Sequence, residues 1–202
     1  MKNSKNKAYR TAILGIFTAI ILLQSFVPFL GYIPIPPLNP TIIHITVIIA
    51  SLVLGTKEGM IVGGVWGVIR LVRAFAAPQT PLDPLIFTNP LISVLPRILV
   101  GLVAGLVFYT FRKKTEHQTF GMALSAVLAS LTNTILVLGF IYLFYKDDYA
   151  TAINVDSSNL MYVLGGVVLT NGVAEALAAG ILGPIIAKPL LKIASNKKNK
   201  PF

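Results

Sequence analysis

The chain has 202 residues, of which 55% are hydrophobic and only 12% are charged, and its mean hydropathy is +0.78. About 25% of the residues in an ordinary soluble domain are charged. The composition therefore excludes a disordered chain and argues against a soluble globular enzyme. The chain contains no cysteine, which excludes disulfides and thiolate metal sites.

Apolar segments recur along the chain, and its length suits about six membrane helices of ~20 residues each. The first segment follows a basic start, but its length and the apolar segments after it favour a retained span over a cleaved signal peptide. We predict an all-α integral membrane protein, a single domain over residues 1–202 with six transmembrane helices in one bundle. The predicted spans are 11–30, 41–55, 59–77, 91–111, 119–145 and 160–183, with a tight turn at 55–59 and a basic tail at 184–202.

The charges alternate between the two sides of this topology. Thirteen of the 17 basic residues fall at the N-terminus, at Lys57, in the loop after the fourth span or in the tail. Four acids, Asp83, Asp147, Asp148 and Asp156, fall in loops on the other side. The positive-inside rule then places both termini in the cytoplasm. The net charge of +10 is thus a topology signal, and it does not indicate nucleic-acid binding.

Three loops lie on the predicted outer side, at 31–40, 78–90 and 146–159. The first two hold eight of the 13 prolines and are apolar, which favours a rigid lid over a cavity. The alternative is that they are only stiff connectors. The third loop is acidic and polar, and we expect it to be more mobile.

Small residues line several predicted helix faces at spacings of three and four, which lets helices approach closely in lipid. In the third and fourth spans, Gly59, Gly63 and Gly67 and then Gly101 and Gly105 predict packing within the bundle. A face on the first helix starts at the cytoplasmic edge, so it suits either internal packing or docking of a partner protein. That face consists of Ala8, Ala12, Gly15 and Ala19.

A few polar side chains lie within the predicted spans, mostly in their outer halves. Such groups are costly in a membrane and usually face a cavity or one another. Together they predict a polar pocket open to the outside. Alternatives remain: Arg97 and Glu175 can form a structural ion pair, His44 a buried hydrogen bond, and Trp66 core filler. The candidates are Arg97, Arg70, Asn133, Asn171, Glu175, His44, Gln24 and Trp66. For Arg73, which also lies in the outer part of the third span, snorkelling to the outer headgroups stays open as an alternative.

Motifs of hydrolytic chemistry are missing from the sequence. It contains no P-loop, no His-Glu-x-x-His metal motif and no serine nucleophile elbow. We therefore expect no enzyme activity, cofactor or metal in this chain. Uphill transport would draw on an ion gradient or on a separate ATPase.

Several segments resemble the substrate-binding (S) components of energy-coupling factor vitamin transporters, and the resemblance covers nearly the whole chain. Within that family the sequence is most similar to the pantothenate-type members. The segments are Ala-Ile-Leu-Gly-Ile-Phe-Thr-Ala at 12–19, Ile-Ile-His-Ile-Thr-Val-Ile-Ile-Ala at 42–50, Leu-Gly-Thr-Lys-Glu-Gly at 54–59, Val-Leu-Pro-Arg-Ile-Leu-Val-Gly at 94–101, Asn-Thr at 133–134 and Thr-Asn-Gly-Val-Ala-Glu at 170–175.

The resemblance implies a six-helix protein of the bacterial cell membrane with cytoplasmic termini. It implies high-affinity binding of a vitamin from outside and assembly with a transmembrane coupling protein (T component) and two ABC ATPases, which hold the ATP and Mg²⁺. In the family, an Ala-x-x-x-Ala type face on the first helix docks on the T component. Ala8, Ala12, Gly15 and Ala19 occupy that place here, and Gly15 departs from strict alanine.

For pantothenate, the pocket needs a cation for the carboxylate and neutral groups for the amide and the hydroxyls. Arg97 is the first choice for the carboxylate and Arg70 the second, because a guanidinium can bind it bidentately. We expect Trp66 to pack against the dimethyl end and Glu175 to orient Arg97. The amide and hydroxyls are assigned to Asn133, Asn171, Gln24 and His44.

Three other readings of the sequence stay open. The chain can be an S component for another small vitamin or precursor, such as a pyridoxine-like compound or hydroxymethylpyrimidine. It can be a self-sufficient ion-coupled carrier. It can also be a membrane scaffold without a ligand.

Overall fold

A computed structural model describes residues 2–27, 29–31, 41–111 and 117–198, and regular structure in these ranges is helical. Outside the described residues lie positions 32–40 of the predicted lid loop 31–40, the basic residues Arg112, Lys113 and Lys114, and Lys200. The helices are α1 Lys2–Phe26, α2 Ile43–Leu54, α3 Thr56–Ala76, α4 Asp83–Ile86, α5 Pro90–Ser93, α6 Leu95–Phe111, α7 Gln118–Ala152, α8 Leu160–Val167 and α9 Val173–Lys198, with a π-helical turn Val168–Gly172 between α8 and α9.

Helix α2 is the central helix of the bundle. Its residues from Ile43 to Leu52 are all buried, whichever face of the helix they occupy. A helix that is apolar all round is expected to be surrounded by other helices. Its neighbours include α1, α3, α6, α7 and α9.

One glycine makes the turn between α2 and α3. Gly55 has φ 122°, a backbone conformation that residues with a Cβ rarely adopt, and α3 begins at the next residue, Thr56. The turn is therefore shorter than the predicted one at 55–59. Glycine makes this possible because it reverses the chain without needing further loop residues.

The predicted outer loop 78–90 contains two short helices, α4 and part of α5. Each has a proline in its first positions, where a backbone N–H would have no partner within the helix and its absence costs no hydrogen bond. The side chain of Asn89 accepts a hydrogen bond of 3.0 Å from the backbone N–H of Leu91 and so begins α5. This loop is consequently compact and hydrogen-bonded.

Two helices extend beyond the predicted spans. Helix α7 passes a kink at Tyr145 and continues to Ala152, so the first half of the loop predicted at 146–159 is helical. Helix α9 continues through most of the predicted basic tail, to Lys198. Charged residues ended the apolar runs on which the spans were predicted, but charge alone does not end a helix.

The structure confirms an all-helical architecture with several helices suited to a membrane. Four helical segments are long and apolar enough to cross one, and they match the last four predicted spans: Thr56–Ala76, Pro90–Phe111, Gln118–Ala152 and Leu160–Ile193. Two further apolar helical segments, Arg10–Phe26 and Ile43–Leu54, are shorter. Large apolar side chains such as Phe75, Leu143 and Leu169 are exposed, as expected of a surface that faces lipid.

Candidate substrate-binding site

A cavity of about 680 Å³ lies at the end of the bundle where α3 ends and α6 begins. Its walls come from the end of α1, the second half of α3, the segment 79–87, the start of α6, the middle of α7, and the π turn with the start of α9. A volume of this size is typical of small-molecule sites.

The cavity brings together six of the eight predicted site residues, namely Trp66, Arg70, Arg97, Asn133, Asn171 and Glu175. His44 and Gln24 lie outside it. His44 is buried, with Nε2 3.2 Å from the Ser130 hydroxyl, and Gln24 Oε1 accepts a 2.8 Å hydrogen bond from Thr46. These two side chains join helices to one another.

Arg97, at the start of α6, is held by the backbone of α5 and by aromatic rings. Its Nη1 donates a 2.5 Å hydrogen bond to the backbone oxygen of Ile92. Its guanidinium carbon lies 5.0 Å from the ring centroid of Trp66 and 5.6 Å from that of Phe87. Rings at these distances attract the cation and restrict its position.

Arg70 forms a buried ion pair with Asp83, a residue that sequence reasoning placed in an outer loop but did not include in the site. Nη1 and Nη2 of Arg70 donate hydrogen bonds of 2.8 and 2.7 Å to the two oxygens of Asp83. Burial alone would raise the pKa of the Asp83 carboxyl, but the hydrogen bonds and charge of Arg70 outweigh this and lower it. Arg70 is thus already engaged by a carboxylate of its own chain.

Arg73 also lines the cavity, so it does more than snorkel to headgroups. It donates a hydrogen bond to the backbone oxygen of Ser25, and its guanidinium lies 5.1 Å from the centroid of the Phe26 ring. The sequence already indicated a special role for Arg73, because Arg70 and Arg73 both depart from the positive-inside pattern. Asp83 gave no such signal, since acids are common in outer loops.

Glu175 connects α9 to Thr41, which lies two residues before the start of α2. Its Oε1 accepts a 2.7 Å hydrogen bond from the backbone N–H of Thr41. Its carboxylate also lies close enough to Arg97 for their charges to interact. The role of orienting Arg97 stays a prediction, and the hydrogen bond that the structure does show serves the contact between α9 and Thr41.

Several buried polar atoms around the cavity have no hydrogen-bond partner within the chain. They include Nε1 of Trp66, the Oδ1 atoms of Asn133 and Asn171, Oγ of Ser25 and Nε of Arg73. Buried polar groups are nearly always hydrogen-bonded, so the wall presents both donors and acceptors suited to a polar ligand. In the described parts of the chain, no cluster of three His, Asp or Glu side chains could hold a metal ion.

The predicted docking face on α1 points away from the bundle. Ala8, Ala12, Gly15 and Ala19 are all exposed, and a Cβ added at Gly15 would meet nothing within 4 Å. The structure therefore leaves this face open, and its use for docking remains a prediction.

Comparisons with known proteins agree with the resemblance seen in the sequence. Residues 10–187 match the family model of the ECF transporter, substrate-specific component. A pantothenate transporter, PanT, of Leuconostoc mesenteroides subsp. mesenteroides is 36% identical over 197 residues, which cover 95% of this chain and 96% of the relative. A pantothenic acid transporter, PanT, of Lactococcus lactis subsp. cremoris is 35% identical over 205 residues, covering 95% and 98%. The chain therefore belongs to the family of substrate-specific components of ECF transporters.

Proposed function

We propose that this protein is the pantothenate-binding S component of an ECF-type importer. The main support for this proposal is the cavity, which combines buried arginines with unpartnered neutral polar atoms and apolar walls. Pantothenate offers the complementary groups: a carboxylate, an amide, two hydroxyls and a dimethyl carbon. This chain matches the two relatives over nearly their whole length, and both are named as pantothenate or pantothenic acid transporters. Their names support the same substrate.

Arg97 is the proposed partner of the ligand carboxylate. Arg70, the second choice from sequence, donates from both terminal nitrogens to Asp83 and is thereby occupied. The Oδ1 atoms of Asn133 and Asn171 can accept hydrogen bonds from the ligand's hydroxyl and amide groups. Trp66 offers a donor at Nε1 and an apolar ring for the dimethyl end.

Calorimetry on the purified protein tests this assignment. Arg97→Gln should weaken pantothenate binding by about ten- to hundred-fold, because one charge-assisted hydrogen-bonded contact is lost. The matched control is Arg10→Gln, an exposed arginine that does not line this cavity. A carboxamide analogue should bind the parent protein weakly. Equal binding of pantothenate and the analogue would contradict recognition of a carboxylate and favour another vitamin.

We further propose six membrane spans with both termini in the cytoplasm. The central position of α2 supports this, because a helix enclosed by protein does not need the full apolar length of a lipid-facing span. Single cysteines can report the topology because the chain has none of its own. Lys57→Cys should react only with a reagent inside the cell, and Asn159→Cys only with one outside. The reverse pattern would overturn the orientation.

Transport is proposed to need a T component and two ABC ATPases, as is typical of the family. The absence of a P-loop from the sequence agrees with ATP hydrolysis on separate subunits. Reconstitution in liposomes separates this from an ion-coupled carrier. The protein alone should bind but not accumulate pantothenate, and uptake by the protein alone, driven by an ion gradient, would favour the carrier.

A further inference from the structure

The charges around the cavity are unequal in number. Among the residues that the structure describes, the charged side chains lining it are Arg70, Arg73, Arg97, Asp83 and Glu175. In their ordinary ionised forms, three guanidinium groups against two carboxylates leave one net positive charge. The number of negative charges that a ligand can bring therefore depends on which arginines are already neutralised.

Asp83 neutralises the charge of Arg70 completely. The two side chains share two parallel hydrogen bonds, and only 9% and 2% of their side-chain surfaces are exposed. Asp83 also accepts 2.8 Å hydrogen bonds from the backbone N–H of Gln79 and the hydroxyl of Thr80. Each carboxylate oxygen thus has two donors, and the pair is complete without a ligand.

Arg70 is fixed from its other side as well. Its guanidinium carbon lies 4.0 Å from the ring centroid of Phe87. A ligand carboxylate that sought Arg70 would have to displace Asp83 and leave that buried carboxylate without its cation, which is strongly unfavourable. The guanidinium is therefore present at the cavity wall but withheld from ligands.

We propose that Asp83 is a specificity-determining residue that limits the cavity to ligands with a single negative charge. This inference rests on the proposed function, since it assumes that the cavity takes pantothenate. The class it excludes is the phosphate monoester of the same ligand. A phosphate adds a charge of roughly −1.5 to −2 near neutral pH, for which the wall has no further net positive charge once the ligand carboxylate has balanced the existing one.

The test compares two ligands, pantothenate and 4′-phosphopantothenate, by calorimetry on the purified protein. The measured quantity is the ratio of their affinities. Asp83→Asn keeps the size of the side chain and removes its charge, which releases Arg70 to the cavity. The affinity for the phosphate monoester relative to pantothenate should rise by roughly ten- to hundred-fold, the effect of one additional charge-assisted contact.

Two further variants separate charge from loop structure. Thr80→Val removes one hydrogen bond to Asp83 without changing any charge, and the affinity ratio should stay within about three-fold of the parent's. The double variant Asp83→Asn/Arg70→Gln removes both charges and should return the ratio toward the parent value. A purely structural role of Asp83 would not produce this reversal. If Asp83→Asn does not purify as a monodisperse protein, Asp83→Ser takes its place.

The experiment distinguishes failure of this inference from failure of the proposed function. A parent protein that binds pantothenate, with a ratio that Asp83→Asn leaves unchanged, would overturn this inference alone. A parent that binds both ligands equally would also overturn it. A parent that binds neither ligand would contradict the proposed function itself, and this inference with it.

Discussion

Two regions of the molecule use small residues in opposite ways. At the contact between α3 and α6, a Cβ added at Gly63 would come within 2.1 Å of the backbone oxygen of Arg97, and one added at Gly101 within 2.3 Å of the backbone of Gly59. On the outward face of α1, a Cβ added at Gly15 would meet nothing within 4 Å. The first region is closed by the chain itself, and the second is left open.

The contrast shows that spacing alone does not tell internal packing from an outer face. Glycines and alanines three or four residues apart mark both regions in the sequence. The glycine contacts of α3 and α6 also determine the cavity, because they bring Trp66 and Arg70 on α3 close to Arg97 on α6. The packing predicted for the third and fourth spans is thus a precondition of the site.

The largest expected effect comes from filling the closed region. Gly63→Leu should prevent recovery of folded protein, because even its Cβ would overlap the backbone of α6 and neither helix can move without disturbing the core. Gly139→Leu is the matched control, since Gly139 is exposed and a Cβ there meets nothing within 4 Å. Fluorescence-detected size exclusion measures the yield of both. Normal yield of Gly63→Leu would contradict the close contact.

Filling the open region should affect transport and leave the isolated protein intact. Gly15→Leu, or Ala12→Leu beside it, should reduce pantothenate uptake in cells at least ten-fold, the loss expected when an interface side chain blocks close helix contact. Ligand binding by the purified variant should stay within about two-fold of the parent, because the face lies away from the cavity. Full uptake by both variants would exclude this face as a docking surface.

The smallest expected effect concerns a glycine on a second open surface, in α8. A Cβ at Gly165 would meet nothing within 4 Å, so Gly165→Ala should raise the free energy of unfolding by up to about 1 kcal/mol through helix propensity. Gly172→Ala is the comparison, because its Cβ would lie 3.1 Å from Cγ2 of Thr134. Thermal unfolding in detergent should give Gly165→Ala a higher melting temperature than Gly172→Ala. The opposite ranking would mean that α8 packs more closely than described.

The helices were predictable from the sequence because long apolar runs in a membrane protein leave the backbone few alternatives to helix. Their ends were less predictable. The charges at Lys146, Asp147 and Asp148 ended the predicted fifth span, yet α7 continues through them as a helix. Apolar runs indicate where lipid begins and ends, whereas helix ends depend on local hydrogen bonds and on packing.

The candidate site was predictable in part, for a physical reason. Arg97, Asn133 and Glu175 lie deep in the predicted spans, where a polar side chain is costly unless it faces a cavity or pairs with another polar group. Their positions therefore indicated a common site. Asp83 was missed because its contact with Arg70 spans a proline-containing loop whose path the sequence does not specify. His44 and Gln24 lie outside the cavity lining because each has a partner on a neighbouring helix, which sequence spacing does not reveal.

The π-helical turn at Val168–Gly172 has a consequence for how the length of this chain can vary. The turn holds one residue more than an α-helical turn, which rotates α8 relative to α9 by about 100°. That rotation lets Leu160 and Leu164 pack in one apolar cluster while Glu175 lines the cavity. Deleting or inserting a single residue here would turn one of these faces away from its partners. Alignment gaps among relatives should therefore fall in the connection 153–159 and be absent from 160–175.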